Sequence, residues 1–409
     1  MGPPATTRVA VVGGGPAGLM AAEVLARAGA SVTVYERMPT VGRKLQVAGR
    51  GGLNLTHAEP ADAFAERYGP ARERLAPALE RFDPGALRAW CEGLGEPTFV
   101  GTSGRVFPQG FRATRLLRAW LRRLDELGVV VRTRHTWTGW TDGGALTFTD
   151  ATGAPVEIVA DATVLALGGA SWPRTGSDGR WVEPLRSAGV EVHELRPANC
   201  GFTVRWSDVL RDRFAGTPVK DVVLRHGERT ARGDVVITRD GVEGGPVYAL
   251  AAGLRAALDR GEPARLLVDL RPGTPTDELR ARLERRRPKD SVATGLRRAG
   301  LAPVAVALLR EATGNALPAD ADELSALVHA VPVDLVAPRP LERAISTAGG
   351  VAWGAVDEHA MLLARPGTFV AGEMLDWEAP TGGYLLQGAF STGVAAAAGV
   401  LAWLGTVRT

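Results

Sequence analysis

Three glycines early in the chain have the spacing of a loop that binds a dinucleotide. They are Gly13, Gly15 and Gly18, with Gly14, Pro16 and Ala17 between them. In such a loop the first glycine permits a tight turn, the second lets a pyrophosphate approach the backbone, and the third lets a helix pack closely on a strand. A helix that starts here also offers free N–H groups and the positive end of its dipole to phosphates.

The glycines lie between elements that would position them for this chemistry. Residues 8–12 and 31–36 are apolar runs of strand length, and residues 16–28 between them have helical periodicity. This strand–helix–strand unit predicts a parallel sheet. Glu36 ends the second strand, where a carboxylate can accept hydrogen bonds from the hydroxyls of an adenosine ribose. The unit alone fits NAD as well as FAD.

The predicted helix 16–28 is amphipathic. Leu19, Ala22 and Ala26 share one face, whereas Glu23 and Arg27 are expected to lie off that face.

Glycine is enriched in the chain as a whole, at 51 of 409 residues against a usual share of about 7%. Two later strand-like segments, 163–167 and 368–371, run directly into Gly168-Gly169 and Gly372-Glu373. Gly382 and Gly383 precede a long helix expected over 388–403. A helix N-terminus there could stabilise negative charge at the pyrimidine edge of a flavin. These later segments favour FAD.

The strand–glycine–helix pattern occurs at both ends of the chain, with different material between. Residues 60–127 are predicted to be mostly helical, with the last helix over 112–127 and a strand from 129. This organisation predicts an FAD-binding domain of residues 1–192 and 339–409, interrupted by an insert of residues 193–338. The insert is expected to be rich in short strands to about 262 and helical from about 263.

Composition excludes several classes of protein. A formal net charge of +3 on 409 residues is too small for a general nucleic-acid footprint. No run was expected to approach the roughly 18 apolar residues of a membrane helix, so no membrane partner is predicted. The two cysteines, Cys91 and Cys200, are too far apart in sequence for a zinc ribbon, and no other cluster has metal-ligand spacing, so no metal is predicted. Low cysteine use favours the cytoplasm.

Five further short motifs follow the first glycine motif along the chain. They are Gly42-Arg43-Lys44, the loop 49–56, Leu167-Gly168-Gly169-Ala170-Ser171, Gly372-Glu373-x-Leu375-Asp376 and Gly382-Gly383-Tyr384-x-x-Gln387. In this order the chain resembles, over essentially its whole length, the bacterial HI0933-like (BaiN-type) NAD(P)/FAD-dependent oxidoreductases. The stretch from Trp172 to Gly179 is similar to one flavoprotein branch of that family.

The resemblance implies an α/β fold in which a glutathione-reductase-like Rossmann FAD domain is interrupted by an inserted β-barrel plus helical domain. It also implies that the strand after Gly128 presents main chain near Trp137 to the adenine. Together, the glycine unit and the resemblance predict these FAD-binding residues: Gly13, Gly14, Gly15, Pro16, Ala17, Gly18, Glu36, Arg37, Arg43, Lys44, Leu45, Gly51, Asn54, Trp137, Gly168, Gly372, Glu373, Asp376, Gly382, Gly383, Tyr384 and Gln387. The chain departs from the family at Gly52-Leu53, where Arg-Cys is usual, and at Leu385, where Asn is common.

Several side chains have two readings. Lys44, one of three lysines, could bind pyrophosphate or flavin, or face solvent; Asp376 could bond flavin or ribityl groups, or cap a turn. Trp172 and Trp377 could wall a pocket for a planar apolar ligand or pack in the core. His57 could donate a proton or lie at the surface.

Two further features outside the motifs also have two readings. A lone cysteine such as Cys200 is more typical of a buried apolar position than of a nucleophile. The basic stretch Arg280–Lys289 is typical of a solvated helix face, although it could contact an acidic or nucleic-acid partner.

The predicted function is that of a cytoplasmic FAD-dependent oxidoreductase. Hydride would pass through flavin N5 to an unknown small organic substrate at the interface of the FAD domain and the insert, with reduction of an activated C=C bond the form implied by the family. NAD(P)H would dock transiently, since no second glycine motif of this kind occurs. A flavin monooxygenase or oxidase and an FAD-binding RNA-modification or regulatory protein are the alternatives. The sequence assigns no catalytic residue and no oligomeric state.

Overall fold

The computed structural model describes residues 7–287 and 289–407. The chain divides into two units, one comprising residues 1–196 and 346–409 and the other Pro197–Ile345. The first is called the split unit and the second the inserted unit. The sequence placed these divisions a few residues earlier, at 192/193 and 338/339.

The described residues contain twenty strands and fourteen α-helices. The strands are β1 (Arg8–Val12), β2 (Ser31–Glu36), β3 (Thr56–His57), β4 (Thr98–Val100), β5 (Arg105–Pro108), β6 (Val130–Thr133), β7 (Thr136–Trp140), β8 (Leu146–Thr149), β9 (Pro155–Ile158), β10 (Ala162–Leu165), β11 (Val192–Ala198), β12 (Phe202–Thr203), β13 (Thr217–His226), β14 (Arg229–Thr238), β15 (Gly241–Glu243), β16 (Ala264–Asp269), β17 (Val331–Leu335), β18 (Ala337–Pro338), β19 (Ser346–Val351) and β20 (Thr368–Val370). The helices are α1 (Pro16–Arg27), α2 (Arg43–Ala48), α3 (Ala61–Glu66), α4 (Arg72–Arg81), α5 (Pro84–Gly93), α6 (Ala113–Glu126), α7 (Val182–Ser187), α8 (Asp208–Phe214), α9 (Gly245–Asp259), α10 (Thr276–Glu284), α11 (Val292–Arg298), α12 (Pro303–Ala312), α13 (Ala321–His329) and α14 (Tyr384–Val407).

A five-stranded parallel sheet forms the centre of the split unit, in the order β20-β10-β1-β2-β6. Val9 pairs with Ala162 on one side of β1, and Arg8 pairs with Ser31 on the other. The predicted parallel sheet is therefore confirmed. Because all five strands point the same way, the segments that follow β1, β2, β10 and β20 meet at one edge of the sheet.

Helix α1 carries a buried carboxylate that the sequence placed wrongly. Glu23 was expected to lie off the packed face, yet it is 2% exposed. Its Oε2 accepts hydrogen bonds from the indoles of Trp90 (3.0 Å) and Trp120 (2.8 Å), and its Oε1 contacts Arg27 (2.9 Å) and Arg123 (3.2 Å). These hydrogen bonds and ion pairs offset the free-energy cost of burying the Glu23 carboxylate, and they hold α1 against α5 and α6.

Helix α14 starts earlier than predicted, and it is longer and more apolar than the sequence analysis expected of any segment. It begins at Tyr384, directly after Gly382-Gly383, rather than at 388. By length and composition, its segment Tyr384–Gly405 could cross a membrane, so the expectation that no segment qualifies is wrong on that criterion. Of the window tested, 56% is buried within the fold, and α14 packs along α1, as the core helix of a compact domain does.

Two regions contain elements that the sequence reading missed. The span 60–127 was expected to be mostly helical, but strands β4 and β5 form a hairpin within it, and β5 also pairs with β3. The span 190–260 was expected to hold short strands, but it also contains the fifteen-residue helix α9.

The inserted unit is built on a seven-stranded sheet in the order β17-β16-β13-β14-β15-β12-β18. Its strand pairs are antiparallel, and its core is aliphatic, with Val222, Leu254, Leu296 and Leu309 fully buried. Helices α10 to α13 fall in the half predicted to be helical. Closure of this sheet into a barrel and the glutathione-reductase-like arrangement stay predictions.

Candidate functional site

In the turn after β1, Gly13 and Gly18 leave no room for a side chain, whereas Gly15 faces open space. Gly13 has φ +108°, and a Cβ atom there would collide with the carbonyl oxygen of Ala166. A Cβ at Gly18 would collide with the carbonyl oxygen of Gly13, whereas no heavy atom lies within 4 Å of the Cβ position at Gly15. No side chain caps the start of α1 at Gly15. The turn therefore packs tightly on the sheet side and leaves Gly15 and the helix N-terminus available to a phosphate.

Glu36 lies at the end of β2, beside this turn. Its Oε1 accepts a hydrogen bond from the backbone N–H of Met38 (2.7 Å), and its Oε2 accepts one from Gly14 (2.8 Å). Burial raises the pKa of Glu36, although these two bonds and the nearby Arg37 and Arg43 oppose the shift. A carboxylate has about four lone-pair sites, so Glu36 retains acceptors for ribose hydroxyls.

The guanidinium of Arg37 contacts the segment that follows β10, and its binding to FAD stays a prediction. Its Nε donates to the carbonyl of Gly176 (3.0 Å), its Nη2 to that of Pro173 (3.2 Å), and its Nη1 pairs with Asp178 Oδ2 (2.9 Å). All three guanidinium nitrogens are thus used to hold residues 172–178, which we call the strap.

The strap lies close to Glu36 and to the segment after β10. A Cβ at Gly176 would be 3.7 Å from Glu36 Oε1, and one at Gly168 would be 3.3 Å from Ser177 Oγ. Ser177 is 6% exposed, and its Oγ has no hydrogen-bond partner among the described residues. Arg37 therefore positions a buried hydroxyl at the place where the sequence predicts the nucleotide.

Lys44 forms an ion pair across the site. Its Nζ lies 2.7 Å from Glu373 Oε2 and donates to Ser171 Oγ at 2.8 Å. Glu373 Oε1 in turn accepts the backbone N–H of Thr347 (3.0 Å). These bonds join α2, the segment after β10 and the turn after β20, whose residues are far apart in sequence. Leu45, next to Lys44, is 2% exposed and packs in the core, and its contact with FAD stays a prediction.

Six buried polar side-chain atoms of the split unit have no hydrogen-bond partner among the described residues. They are Arg43 Nε, Asn54 Oδ1, Thr56 Oγ1, Trp137 Nε1, Ser177 Oγ and Gln387 Oε1. A buried polar atom without a partner costs about 1–3 kcal/mol, so such atoms mark places where a ligand or water completes the structure. Four of the six belong to residues predicted to bind FAD. Thr56 and Ser177 were missed, although each lies within or next to a glycine-rich motif.

The second glycine turn is fixed to β3. Gly383 has φ +99°, and a Cβ there would be 2.5 Å from the Cα of Thr56. The next residue, Tyr384, donates its hydroxyl to Glu59 Oε1 at 2.5 Å, and Arg67 Nη2 pairs with Glu59 Oε2 at 2.6 Å. Burial, and next the hydrogen bond to Glu59, raises the pKa of the Tyr384 hydroxyl well above its ordinary value. Tyr384 therefore remains neutral and holds the start of α14 in place.

The other residues predicted to bind FAD include three whose surroundings in the protein are now visible: Asp376, Gln387 and Trp137. Asp376 Oδ2 is 2.7 Å from His193 Nδ1, and this hydrogen bond raises the pKa of His193. Gln387 donates its Nε2 to the carbonyl of Phe82 (2.7 Å). Trp137 lies on β7, in the three-stranded sheet β7-β8-β9, rather than on the strand that directly follows Gly128. Gly51, like Gly15, has no neighbour at its Cβ position.

The structure shows the surroundings of the side chains for which the sequence allowed two interpretations. Trp377 is 3% exposed and donates its indole N–H to the carbonyl of Gly372 (2.9 Å), so it packs in the core. Trp172 is 39% exposed and has a positive φ of 61°. His57 stacks on Tyr384 with ring centroids 5.5 Å apart. Cys200 is fully buried.

Two arginines of the basic stretch from Arg280 to Lys289 form ion pairs within their helix. Arg280 Nη1 lies 2.7 Å from Glu284 Oε1, and Arg282 Nη2 lies 2.5 Å from Glu278 Oε1. Pro288, within this stretch, lies outside the described residues. Pairs of this kind at i,i+4 are typical of a solvated helix face.

Comparison with known sequences decides the family. The sequence profile of the HI0933-like protein Rossmann domain matches residues 7–399. The chain belongs to the HI0933-like family. Among relatives of this family member, the 3-dehydro-bile acid delta(4,6)-reductase of Clostridium scindens is 26% identical over 404 residues, which cover 94% of this chain and 97% of the reductase. A D-amino acid dehydrogenase of Dechloromonas aromatica is 45% identical over 53 residues, or 13% of each chain.

Two solved structures illustrate the likeness of the fold. A 3-ketosteroid delta1-dehydrogenase from Sterolibacterium denitrificans superposes with a TM-score of 0.54 at 14% identity, covering 97% of this chain and 100% of its own. A flavocytochrome c3 fumarate reductase superposes with a TM-score of 0.52 at 18% identity, covering 98% of this chain and 79% of its own. At these identities the likeness establishes the fold.

The residues present fit FAD. The open space at Gly15, the uncapped start of α1 and the unpartnered atoms around Asn54, Thr56 and Ser177 are what an extended dinucleotide would require. This HI0933-like protein is an FAD-dependent oxidoreductase with a Rossmann-like α/β fold.

Proposed function

We propose that this enzyme is a reductase or dehydrogenase that transfers hydride between NAD(P)H and a small organic substrate containing an activated C=C bond. The observation that carries the proposal is the end-to-end similarity to a bile-acid reductase, which spans 94% of this chain and 97% of that enzyme. FAD, when bound, supplies the two-electron chemistry that protein side chains lack. The donor, the substrate, a cytoplasmic location and a substrate site beside the insert are parts of the proposal.

We assign the adenosine half of FAD to the turn at Gly15, the carboxylate of Glu36 and the hydroxyl of Ser177. Glu36 already lies between two backbone donors and keeps lone pairs for the ribose hydroxyls. Ser177 is held by Arg37 through the strap, and its buried hydroxyl needs a partner. We call this group of residues (13–18, 36–37 and 172–178) the adenosine end.

We assign the flavin half to the loop 51–56 and the start of α14. Asn54 Oδ1 and Thr56 Oγ1 are buried acceptors without partners among the described residues, and Gly383 packs directly on Thr56. The Lys44–Glu373 pair ties the neighbouring segments together. We call the residues 51–56 and 382–387 the ring end.

Anaerobic reduction of the purified, FAD-containing protein tests the proposed function. We expect NADH or NADPH to bleach the flavin absorbance, and a planar enone, here the steroid 1,4-androstadiene-3,17-dione, to restore it faster than a buffer control. A flavin that neither nucleotide reduces would contradict the proposal.

The same experiment separates the reductase from an oxidase or a monooxygenase. Reduced protein is mixed with air-saturated buffer, and hydrogen peroxide is measured. Slow reoxidation by air beside fast reoxidation by the enone is the expected result. Fast reoxidation by air with release of peroxide, and none by the enone, would assign the enzyme to the oxidases.

A further inference from the structure

Three phenylalanines form a cluster on the small sheet β3-β5-β4. The ring centroids of Phe99 and Phe107 are 5.8 Å apart with nearly parallel planes, and those of Phe99 and Phe111 are 5.1 Å apart in an edge-to-face arrangement. Phe107 and Phe111 are 5.7 Å apart. Each ring thus contacts the other two, so the cluster behaves as one aromatic surface.

Phe111 is both exposed and strained. Its side chain and backbone together are 49% exposed, and its φ is +54°, a left-handed conformation that is rare for a bulky residue. The backbone is fixed there, because its N–H donates to the carbonyl of Pro108 (2.9 Å) and its carbonyl accepts from Leu53 (3.0 Å). Such a conformation costs about 1–2 kcal/mol, and half-exposure forfeits much of the burial that would offset it.

The ring of Phe111 lies over the loop assigned to the flavin. A Cβ atom at Gly52 would be 3.4 Å from Phe111 Cδ1 and 3.8 Å from Phe107 Cε1. Gly52 is two residues from Asn54 and four from Thr56, whose buried polar atoms have no partner among the described residues. The aromatic surface is therefore continuous with the ring end of the cofactor site.

We propose that Phe111, supported by Phe99 and Phe107, is a substrate subsite that stacks the flat face of an apolar fused-ring carbonyl compound. This inference rests on the proposed function, which it deepens by naming the class of substrate. Three rings offer the area of a small fused-ring molecule, and their rims and faces suit a planar apolar partner. Strain retained in an exposed aromatic residue beside a cofactor loop is typical of a functional position.

Two substitutions separate this role from a structural one. Asn tolerates the left-handed conformation, so Phe111→Asn should relieve strain and raise the unfolding temperature while removing the ring. Phe111→Tyr keeps the ring and the strain. Leu363→Ala is the matched control, because Leu363 is also an exposed apolar side chain of the split unit, at 59% exposure.

Binding is measured by equilibrium dialysis of the FAD-containing protein with the steroid 1,4-androstadiene-3,17-dione as probe. We expect Phe111→Asn to weaken probe binding about tenfold or more, equivalent to about 1.4 kcal/mol, and to raise the unfolding temperature. Phe111→Tyr and Leu363→Ala should bind the probe within about threefold of the wild type.

Three results would overturn the subsite. The first is that the wild type does not bind the probe, and the second is that Phe111→Asn binds it as tightly as the wild type. The third is that the protein binds phosphatidylcholine vesicles instead, in a way that depends on Phe111. Dialysis requires no turnover, so its result is independent of the reductase assignment. Probe binding that depends on Phe111 in a protein that NAD(P)H cannot reduce would leave the subsite standing and remove the proposed reaction.

Discussion

The adenosine end and the ring end of the cofactor site are built in different ways. At the adenosine end, Gly13 to Gly18 and Glu36 belong to one continuous strand–helix–strand unit. Two backbone donors hold the Glu36 carboxylate, and Arg37 joins this unit to the strap. At the ring end, Gly383 packs on Thr56 and Phe111 lies over Gly52, so segments up to about 330 residues apart meet.

This difference in construction fits the molecule that each end is proposed to bind. A dinucleotide is the same molecule in many enzymes, so a local motif suffices to bind it. The substrate differs between enzymes, and we propose that residues beside the ring end such as Phe111, which no local pattern requires, contact it. The predictions below test whether the two ends are separable, beginning with the largest expected effect.

Substitution within the first turn should separate folding from cofactor binding. Gly13→Ala places a Cβ against the carbonyl of Ala166 at φ +108°, so we expect it to lower the free energy of unfolding by more than about 3 kcal/mol. Gly15→Ala meets no atom within 4 Å, so the flavin-free protein should lose no more than about 1 kcal/mol. Its affinity for FAD should nevertheless fall about tenfold or more, because the methyl group occupies the pyrophosphate position.

Chemical denaturation of the flavin-free protein and titration with FAD measure these two quantities. Equal stability of Gly13→Ala and the wild type would contradict the packing of the turn. Wild-type affinity for FAD in Gly15→Ala would show that the pyrophosphate lies elsewhere.

Removal of the guanidinium that holds the strap should weaken FAD binding without unfolding the protein. Arg37→Ala loses two hydrogen bonds and one ion pair to residues 172–178. Bonds to charged groups contribute about 1.5–3 kcal/mol, so FAD should dissociate about 10- to 100-fold faster. Arg174→Ala, an exposed arginine within the strap, is the control and should dissociate FAD at the wild-type rate. Identical rates for both variants would mean that the strap does not contact FAD.

At the ring end, Tyr384→Phe should reduce stability and change its response to acid. Loss of the hydrogen bond to Glu59 should cost about 1–2 kcal/mol, while the turn at Gly383 and the FAD content remain. Burial raises the pKa of Glu59, but hydrogen bonds from Arg67 and Tyr384 outweigh it and lower that pKa overall. The associated stabilisation is therefore present above the ordinary value of 4.5 and is lost as pH falls below it.

Unfolding of the wild type and of Tyr384→Phe between pH 7 and pH 3 measures this effect. The variant should have a shallower loss of stability below pH 4.5, because Glu59 then has one fewer donor. If stability fell in parallel with pH in the two proteins, the hydrogen bond from Tyr384 would make no contribution to the loss of stability in acid.

The smallest effect is expected at the pair His193–Asp376. The hydrogen bond to Asp376 raises the pKa of His193 above its ordinary 6.5, so its stabilisation is present below pH 6.5 and is lost as pH rises through the folded-state pKa. The His193 side chain is 51% exposed, so the contribution should stay below about 1 kcal/mol. Asp376→Asn should flatten the stability curve between pH 6 and pH 8, as measured by denaturation, and an unchanged curve would contradict the pairing.

The sequence predicts the turn after β1, the helix α1 and Glu36 because these belong to one strand–helix–strand unit of residues close together in the chain. The glycine spacing, the apolar strands and Glu36 are sufficient to predict a dinucleotide and its position after β1. Glu23 shows the limit of such reasoning, since its burial depends on Trp90 and Trp120, which the helical pattern of α1 does not contain.

The ring end was predicted less completely for the same physical reason. The hairpin β4–β5 and the position of Phe111 over Gly52 arise from tertiary packing. At the adenosine end, too, the contact of Arg37 with the strap joins residues about 140 positions apart, which no local pattern displays. Thr56 and Ser177 become candidate ligands through their buried, unpartnered oxygens, a property that the sequence does not display.

The amount of FAD in the purified protein tests the central claim most directly. Visible absorbance of the native protein, and of the flavin released on denaturation, gives the number of FAD molecules per chain. The two-ended site predicts a yellow protein with one FAD per chain, retained in Phe111→Asn and diminished in Gly15→Ala. A colourless protein that takes up no FAD when it is supplied would contradict the account.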